Sequence, residues 1–265
     1  MKIPSLLVLG LLAGPVLADA LPTTNKKPWV AFYAGYEAKS FQFTVNTEGV
    51  GELIPLDKGK PISGRNAIKF QAVVEDVSAD GKVFAKYAEK GAWEAVTPAA
   101  IDPEKVTYRG MAGNAKFEVN LEFDKNGVRA GGKLLEKGEL KNPRFVLRVS
   151  VPNVYFYDKD AAKLDAKAKD DRIDLVRTDG KKLKFGSRTA IDGETAEVTG
   201  PGIAEAKIEM SGLKDNRFEF VAGAGASFEL WNKGIAPLSE GFSLNWKADA
   251  GKDPEGKGRL VLEVK

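Results

Sequence analysis

The chain has no histidine and no cysteine, and those two absences decide which chemistry is open to it. A Ser-His-Asp triad, a thiol nucleophile, a zincin helix and an ordinary structural zinc site each need one or the other. What remains are carboxylates, tyrosine, lysine, arginine and aromatic rings. Two carboxylates suffice for glycoside hydrolysis. A Tyr or Lys base with a neutralising Arg would serve β-elimination on an acidic polysaccharide. Tyr108-Arg109 and Lys86-Tyr87 have suitable types, but both fit ordinary strand positions. The 37 acidic residues show no spacing that singles out a pair, so the sequence assigns no catalytic residue.

Two loop-like motifs fail on context. Gly223-Ala224-Gly225-Ala226 resembles a dinucleotide loop, yet it leads into Ser227-Phe228-Glu229-Leu230, which alternates like a strand. A phosphate-cradling loop must open a helix. Asp124-Lys125-Asn126-Gly127 begins like a calcium loop, but Val128 stands where the next oxygen ligand belongs. It reads as a hairpin turn. No cofactor and no metal are assigned.

Aromatic side chains carry the better signal, because sugar rings stack on exposed Trp and Tyr faces. Successive strand residues point to opposite faces, so phase sorts exposed rings from core ones. In Phe228-Glu229-Leu230-Trp231, Trp231 shares the face of Glu229, opposite Phe228 and Leu230. In Phe242-Ser243-Leu244-Asn245-Trp246, Trp246 shares the face of Phe242 and Leu244 and is expected in the core. Val154-Tyr155-Phe156-Tyr157 sets Tyr155 and Tyr157 opposite Val154 and Phe156. Trp93 follows Gly91 in a loop-like context, and Trp29 lies on one face with Tyr33. Trp231, Trp93, Tyr155, Tyr157 and Trp29 are therefore the candidate ligand-binding residues. For each of them, packing in the core is the competing reading.

The elements that must position these rings are short strands. Asp80-Gly81, Asn126-Gly127, Asp179-Gly180 and Asp192-Gly193 are hairpin dipeptides. Between such turns lie runs of period two. The clearest is Lys116-Phe117-Glu118-Val119-Asn120-Leu121-Glu122-Phe123, with its apolar residues on one face and its polar residues on the other. No long 3.6-residue stripe competes. The pattern predicts an all-β, antiparallel β-sandwich with little helix, built either as one extended sandwich or as two smaller packed β domains. The segment 158–172 reads as a charged, solvated linker with one or two helical turns. It either separates an N-terminal β domain, 21–157, from a C-terminal β region, 173–265, or is a long surface connection within one continuous sandwich.

Residues 1–20 have the form of a secretory signal peptide. Met1-Lys2 is a positive start, Ile3 to Leu17 is an apolar run, and Ala18-Asp19-Ala20 is the small-residue site a signal peptidase reads. The expectation is export to the periplasm or beyond the cell, with no membrane span in the mature chain. Absence of cysteine and of any N-x-[ST] acceptor fits a bacterial envelope protein. Forty basic against 37 acidic residues give a net charge of +3, too balanced for a dedicated nucleic-acid binder. The leading functional expectation is a non-catalytic exported protein that binds a glycan or an envelope partner. A polysaccharide-active enzyme and a structural envelope component are the alternatives.

Overall fold

The computed structural model describes residues 17–62, 66–155, 159–187, 189–191, 200–214, 216–232, 242–249, 251–253 and 255–265. Most of the expected signal segment, Tyr157 and the Asp192-Gly193 pair lie outside them. Alternating sequence becomes strand almost throughout. The first half supplies β1 (Ala34–Glu37), β2 (Phe41–Val45), β3 (Gly51–Asp57), β4 (Lys60–Pro61), β5 (Ile68–Val77) and β6 (Val83–Tyr87). It continues with β7 (Glu94–Ala95), β8 (Ala100–Ile101), β9 (Lys105–Ala112), β10 (Ala115–Asp124), β11 (Gly127–Glu136) and β12 (Pro143–Val151). The second half supplies β13 (Arg172–Arg177), β14 (Lys182–Phe185), β15 (Ile203–Glu209), β16 (Arg217–Val221), β17 (Ala226–Asn232), β18 (Phe242–Ala248) and β19 (Leu260–Val264).

The chain is all-β with little helix. Its strands form one hydrogen-bonded sheet that curls into a half-barrel rather than two cleanly separate sheets. Alternation fixes which residues face inward, but one curled sheet and two stacked sheets produce the same alternation. One run of pairing goes β1–β2–β3–β5–β12–β18–β17. The other goes β13–β15–β16–β19–β11–β10–β9–β7. The two meet where Ile203 of β15 bridges Phe228 of β17.

Strands from before and after the charged segment interleave. β18 pairs with β12, and β19 lies between β11 and β16. Gly127 makes that second junction feasible, because a Cβ there would stand 1.9 Å from the Leu262 carbonyl oxygen. The glycine that reads as a turn residue thus serves a close strand approach. The turn itself is held by Asp124, whose Oδ1 accepts from the Asn126 and Gly127 amides.

A single apolar cluster fills the inside of the curl. Tyr36, Phe123, Phe43 and Phe70 form one chain of ring contacts at 5.2 Å between centroids. Phe218, Phe220 and Phe228 continue a second at 6.3 and 6.4 Å. Each fully buried ring of this kind contributes roughly 1.5–3 kcal/mol from burial alone.

The charged segment holds a true helix, α1 (Ala161–Asp170), longer than the one or two turns its weak amphipathicity suggests. The Asp160 carboxylate accepts from the Ala162 and Lys163 amides and caps its N-terminus. Leu164 anchors it at 8% exposure. Asp171, just past its end, is buried and accepts from the Ser187 hydroxyl and the Ser211 amide, both at 2.8 Å. Among the described residues no helix is long and apolar enough to cross a membrane.

Candidate functional site

The outward faces of β12, β18 and β17 line up by register. Arg148 stands opposite Asn245, and Asn245 opposite Glu229. In the next row Ser150 stands opposite Ser243, and Ser243 opposite Trp231. These rows form the floor of an open groove of about 940 Å³. Its far wall is the hairpin between β5 and β6, with Val83 and Phe84 half exposed at its rim. Trp231, 41% exposed, stands at the opposite side. The groove thus combines a polar floor, which offers hydrogen bonds, with a flat exposed indole, which offers an apolar face.

The floor is electrostatically organised. Glu75, with its side chain only 5% exposed, pairs with Arg144 at 2.8 Å and with Lys247 at 3.2 Å. Lys247 also reaches Glu229 at 2.5 Å. Outside that cluster, Arg148 donates from Nε to the Asn245 Oδ1 at 3.0 Å and from Nη1 to the Tyr87 hydroxyl at 2.8 Å. Its guanidinium carbon lies 5.8 Å from the Tyr87 ring centroid, a cation–π contact that holds the fork in place. At the rim, a hydrogen bond from Ser78 and the neighbouring Lys82 hold the Asp80 carboxyl below the usual carboxylate range.

Of the sequence candidates among the described residues, only Trp231 lines this groove. Trp93 is not in an exposed loop. It is 3% exposed and its indole packs on Tyr108 and Phe117. Gly110 leaves it room, since a Cβ there would fall 2.8 Å from the ring. Its backbone exchanges hydrogen bonds of 2.8 and 3.0 Å with Ala18. Trp29 is 8% exposed and meets Phe32 edge to face. Tyr155 is fully buried against Phe218, with its hydroxyl on the Asn66 carbonyl. The reason is local: Asn153–Tyr155 is a 3-10 turn, so strand alternation does not apply and Val154 is the exposed residue instead. None of these three rings offers a free face to a ligand. Tyr157 lies outside the described residues.

The Tyr-Arg pair noted for elimination chemistry is also committed to structure. Tyr108 is buried, and its hydroxyl donates to the Gly49 carbonyl at 2.7 Å. Burial pushes its phenol far above the ordinary tyrosine range. Arg109 bridges Glu94 and Glu118 at 2.8 and 2.9 Å. Arg148 and Asn245 are groove residues that sequence reading passes over, and Tyr87, noted there only as half of a Lys-Tyr pair, braces Arg148. Their only signal was phase: Arg144, Arg148 and Ser150 share the outward face of one strand.

Among the described residues, no group of three or more metal-ligating side chains gathers. No known family model matches the chain, and no curated protein is significantly similar to it.

Proposed function

We propose that this is an exported, non-catalytic protein that binds a glycan of the cell envelope or its surroundings in the groove beside Trp231. In this reading the curled sheet, doubled over one core, acts as a sandwich-like scaffold. The observation that carries it is the single exposed indole, facing a floor of Ser150, Ser243, Asn245 and Arg148. The carboxylates nearest the floor, Glu75 and Glu229, are tied into ion pairs through Lys247. Such an arrangement suits a rigid platform better than an acid–base pair, where one carboxyl must carry a proton to the leaving group.

A glycan array probed with the purified mature chain, followed by titration of any bound sugar, tests this. Trp231→Ala should weaken binding at least about tenfold, the loss of one stacked ring together with its buried area. Binding that survives Trp231→Ala unchanged would remove the groove from the account. Export has its own check: intact mass of protein from the native host should begin at Leu21, and a mature chain that retains residues 1–20 contradicts it.

A second reading rests on β6. Among the described residues this strand pairs only with β5, and Val83, Phe84 and Tyr87 on it are about half exposed. An apolar free edge is a template for strand addition by an envelope partner. Crosslinking from this edge in the native host distinguishes that role from sugar binding.

A further inference from the structure

Accepting the groove as a sugar site, we infer that it selects glycans bearing a carboxylate, with Arg148 reading the uronic acid unit. The charges lining the groove are four cations, Lys82, Arg144, Arg148 and Lys247, against three carboxylates, Glu75, Asp80 and Glu229. Lys82 is satisfied by Asp80, Arg144 by Glu75, and Lys247 by Glu75 and Glu229. Arg148 alone has no carboxylate partner among the described residues. Its protein partners are a neutral amide and a neutral hydroxyl. They fix the plane of the guanidinium without cancelling its charge, and its Nη2 makes no hydrogen bond to the described residues.

A guanidinium held in this way matches a carboxylate with two parallel hydrogen bonds. One uncompensated cation fits one charge per bound unit. The neighbouring carboxylates Glu75 and Glu229 would repel a more heavily charged ligand. Arg148 lies two strands across and two residues along from Trp231, roughly 12 Å between Cα atoms from ordinary sheet spacings. That is a disaccharide's length. A sugar stacked on Trp231 would thus place the carboxylate of its neighbour at Arg148.

The experiment uses the mature chain and tetrasaccharides of galacturonate, mannuronate and glucuronate type, each also as its methyl ester, with neutral tetrasaccharides alongside. The ester removes the charge without touching the protein. At least one uronate should bind the unaltered protein roughly ten- to a hundredfold more tightly than its ester. Its affinity should fall with added salt while the ester's does not. Arg148→Gln should bring the acid down to the level of its ester, so that the acid-to-ester ratio of affinities falls to about one. Arg148→Lys, which keeps charge but not the fork, should fall between.

Equal binding of acid and ester overturns the inference while leaving the sugar reading intact. Absence of binding to every sugar, charged or neutral, overturns both. Because the acid–ester comparison needs no variant, misfolding of Arg148→Gln does not obscure the result.

Discussion

The two walls of β17, β18 and β12 are built from the same strands and differ in every physical respect. Phe228, Leu230, Leu244 and Trp246 face inward and are completely buried. Trp246 even donates its indole N–H to the Ala222 carbonyl at 2.8 Å. One residue on from each, Glu229, Trp231, Asn245 and Lys247 face outward into ion pairs, hydrogen bonds and solvent. The comparison of Trp246 with Trp231 is the most instructive. The same side chain is core on one strand and exposed on the next, and only its phase decides which. Stability should live on the inner wall and recognition on the outer.

The largest expected effect is on the inner wall. Trp246→Ala removes a fully buried ring and leaves the Ala222 carbonyl without its partner. Chemical denaturation should show a loss of about 3–5 kcal/mol. Trp231→Ala should cost less than about 1 kcal/mol, as substitutions at exposed positions do. Equal losses would mean that both rings are structural and would dissolve the comparison.

The outer wall is not inert, however. Glu75 is a buried carboxylate on the polar side, and Glu75→Ala leaves Arg144 without its carboxylate and Lys247 with only Glu229. A loss of about 2 kcal/mol is expected by denaturant melts. No loss at all would show the outward ion pairs to be ordinary surface pairs.

Beyond these three strands, acid and alkali should probe the outer and inner faces of the sheet separately. On the outer side, burial alone would raise the Glu94 carboxyl, but Lys116 and Arg109 outweigh it and hold it below its usual range. A lowered carboxyl lends stability above its unfolded pKa, which is lost as pH falls through the folded value. That loss belongs below about pH 4. On the inner side, burial raises the Tyr108 phenol, and burial likewise raises Tyr33 against the hydrogen bonds from its hydroxyl to Thr97. Their contribution is complete below the ordinary tyrosine pKa. It is lost as pH rises above about 10, where the unfolded chain ionises first. With no histidine in the chain, stability should stay nearly flat between about pH 6 and 8. A steep change there would reveal a shifted group that neither wall accounts for.

The smallest effect is expected at Tyr87. Tyr87→Phe keeps the ring beneath Arg148 but removes the acceptor at Nη1. Stability should change by less than about 0.5 kcal/mol. Affinity for an acidic sugar should fall only a fewfold, by titration.

The inner wall was legible in the sequence because period-two alternation is a direct consequence of the pleat. Phe117, Val119, Leu121 and Phe123 could be assigned to the core before any contact was known. Trp231 and Trp246 could be sorted in the same way. The misplaced rings mark where that rule ends. Tyr155 sits in a 3-10 turn and Trp93 just before the short strand β7, so neither obeys alternation. Trp93 owes its burial to Gly110, which lies seventeen residues away in sequence and makes room for the indole. The groove was illegible for a different reason. Arg148, Tyr87 and Asn245 come from three strands, and nothing in a linear pattern announces that β6, β12 and β18 bring them together. Helix α1 was underestimated because its stability comes from the Asp160 cap and the burial of Leu164 rather than from an apolar stripe.

The most direct test of the groove uses the four tryptophans themselves. Trp29, Trp93 and Trp246 are buried and Trp231 is exposed, so iodide quenching of tryptophan fluorescence should come mainly from Trp231 and should largely vanish in Trp231→Phe. A sugar seated in the groove should shield that fraction, with quenching suppressed along the same curve as binding. A sugar that binds while iodide still reaches Trp231 as freely as before would place the ligand elsewhere and contradict the account.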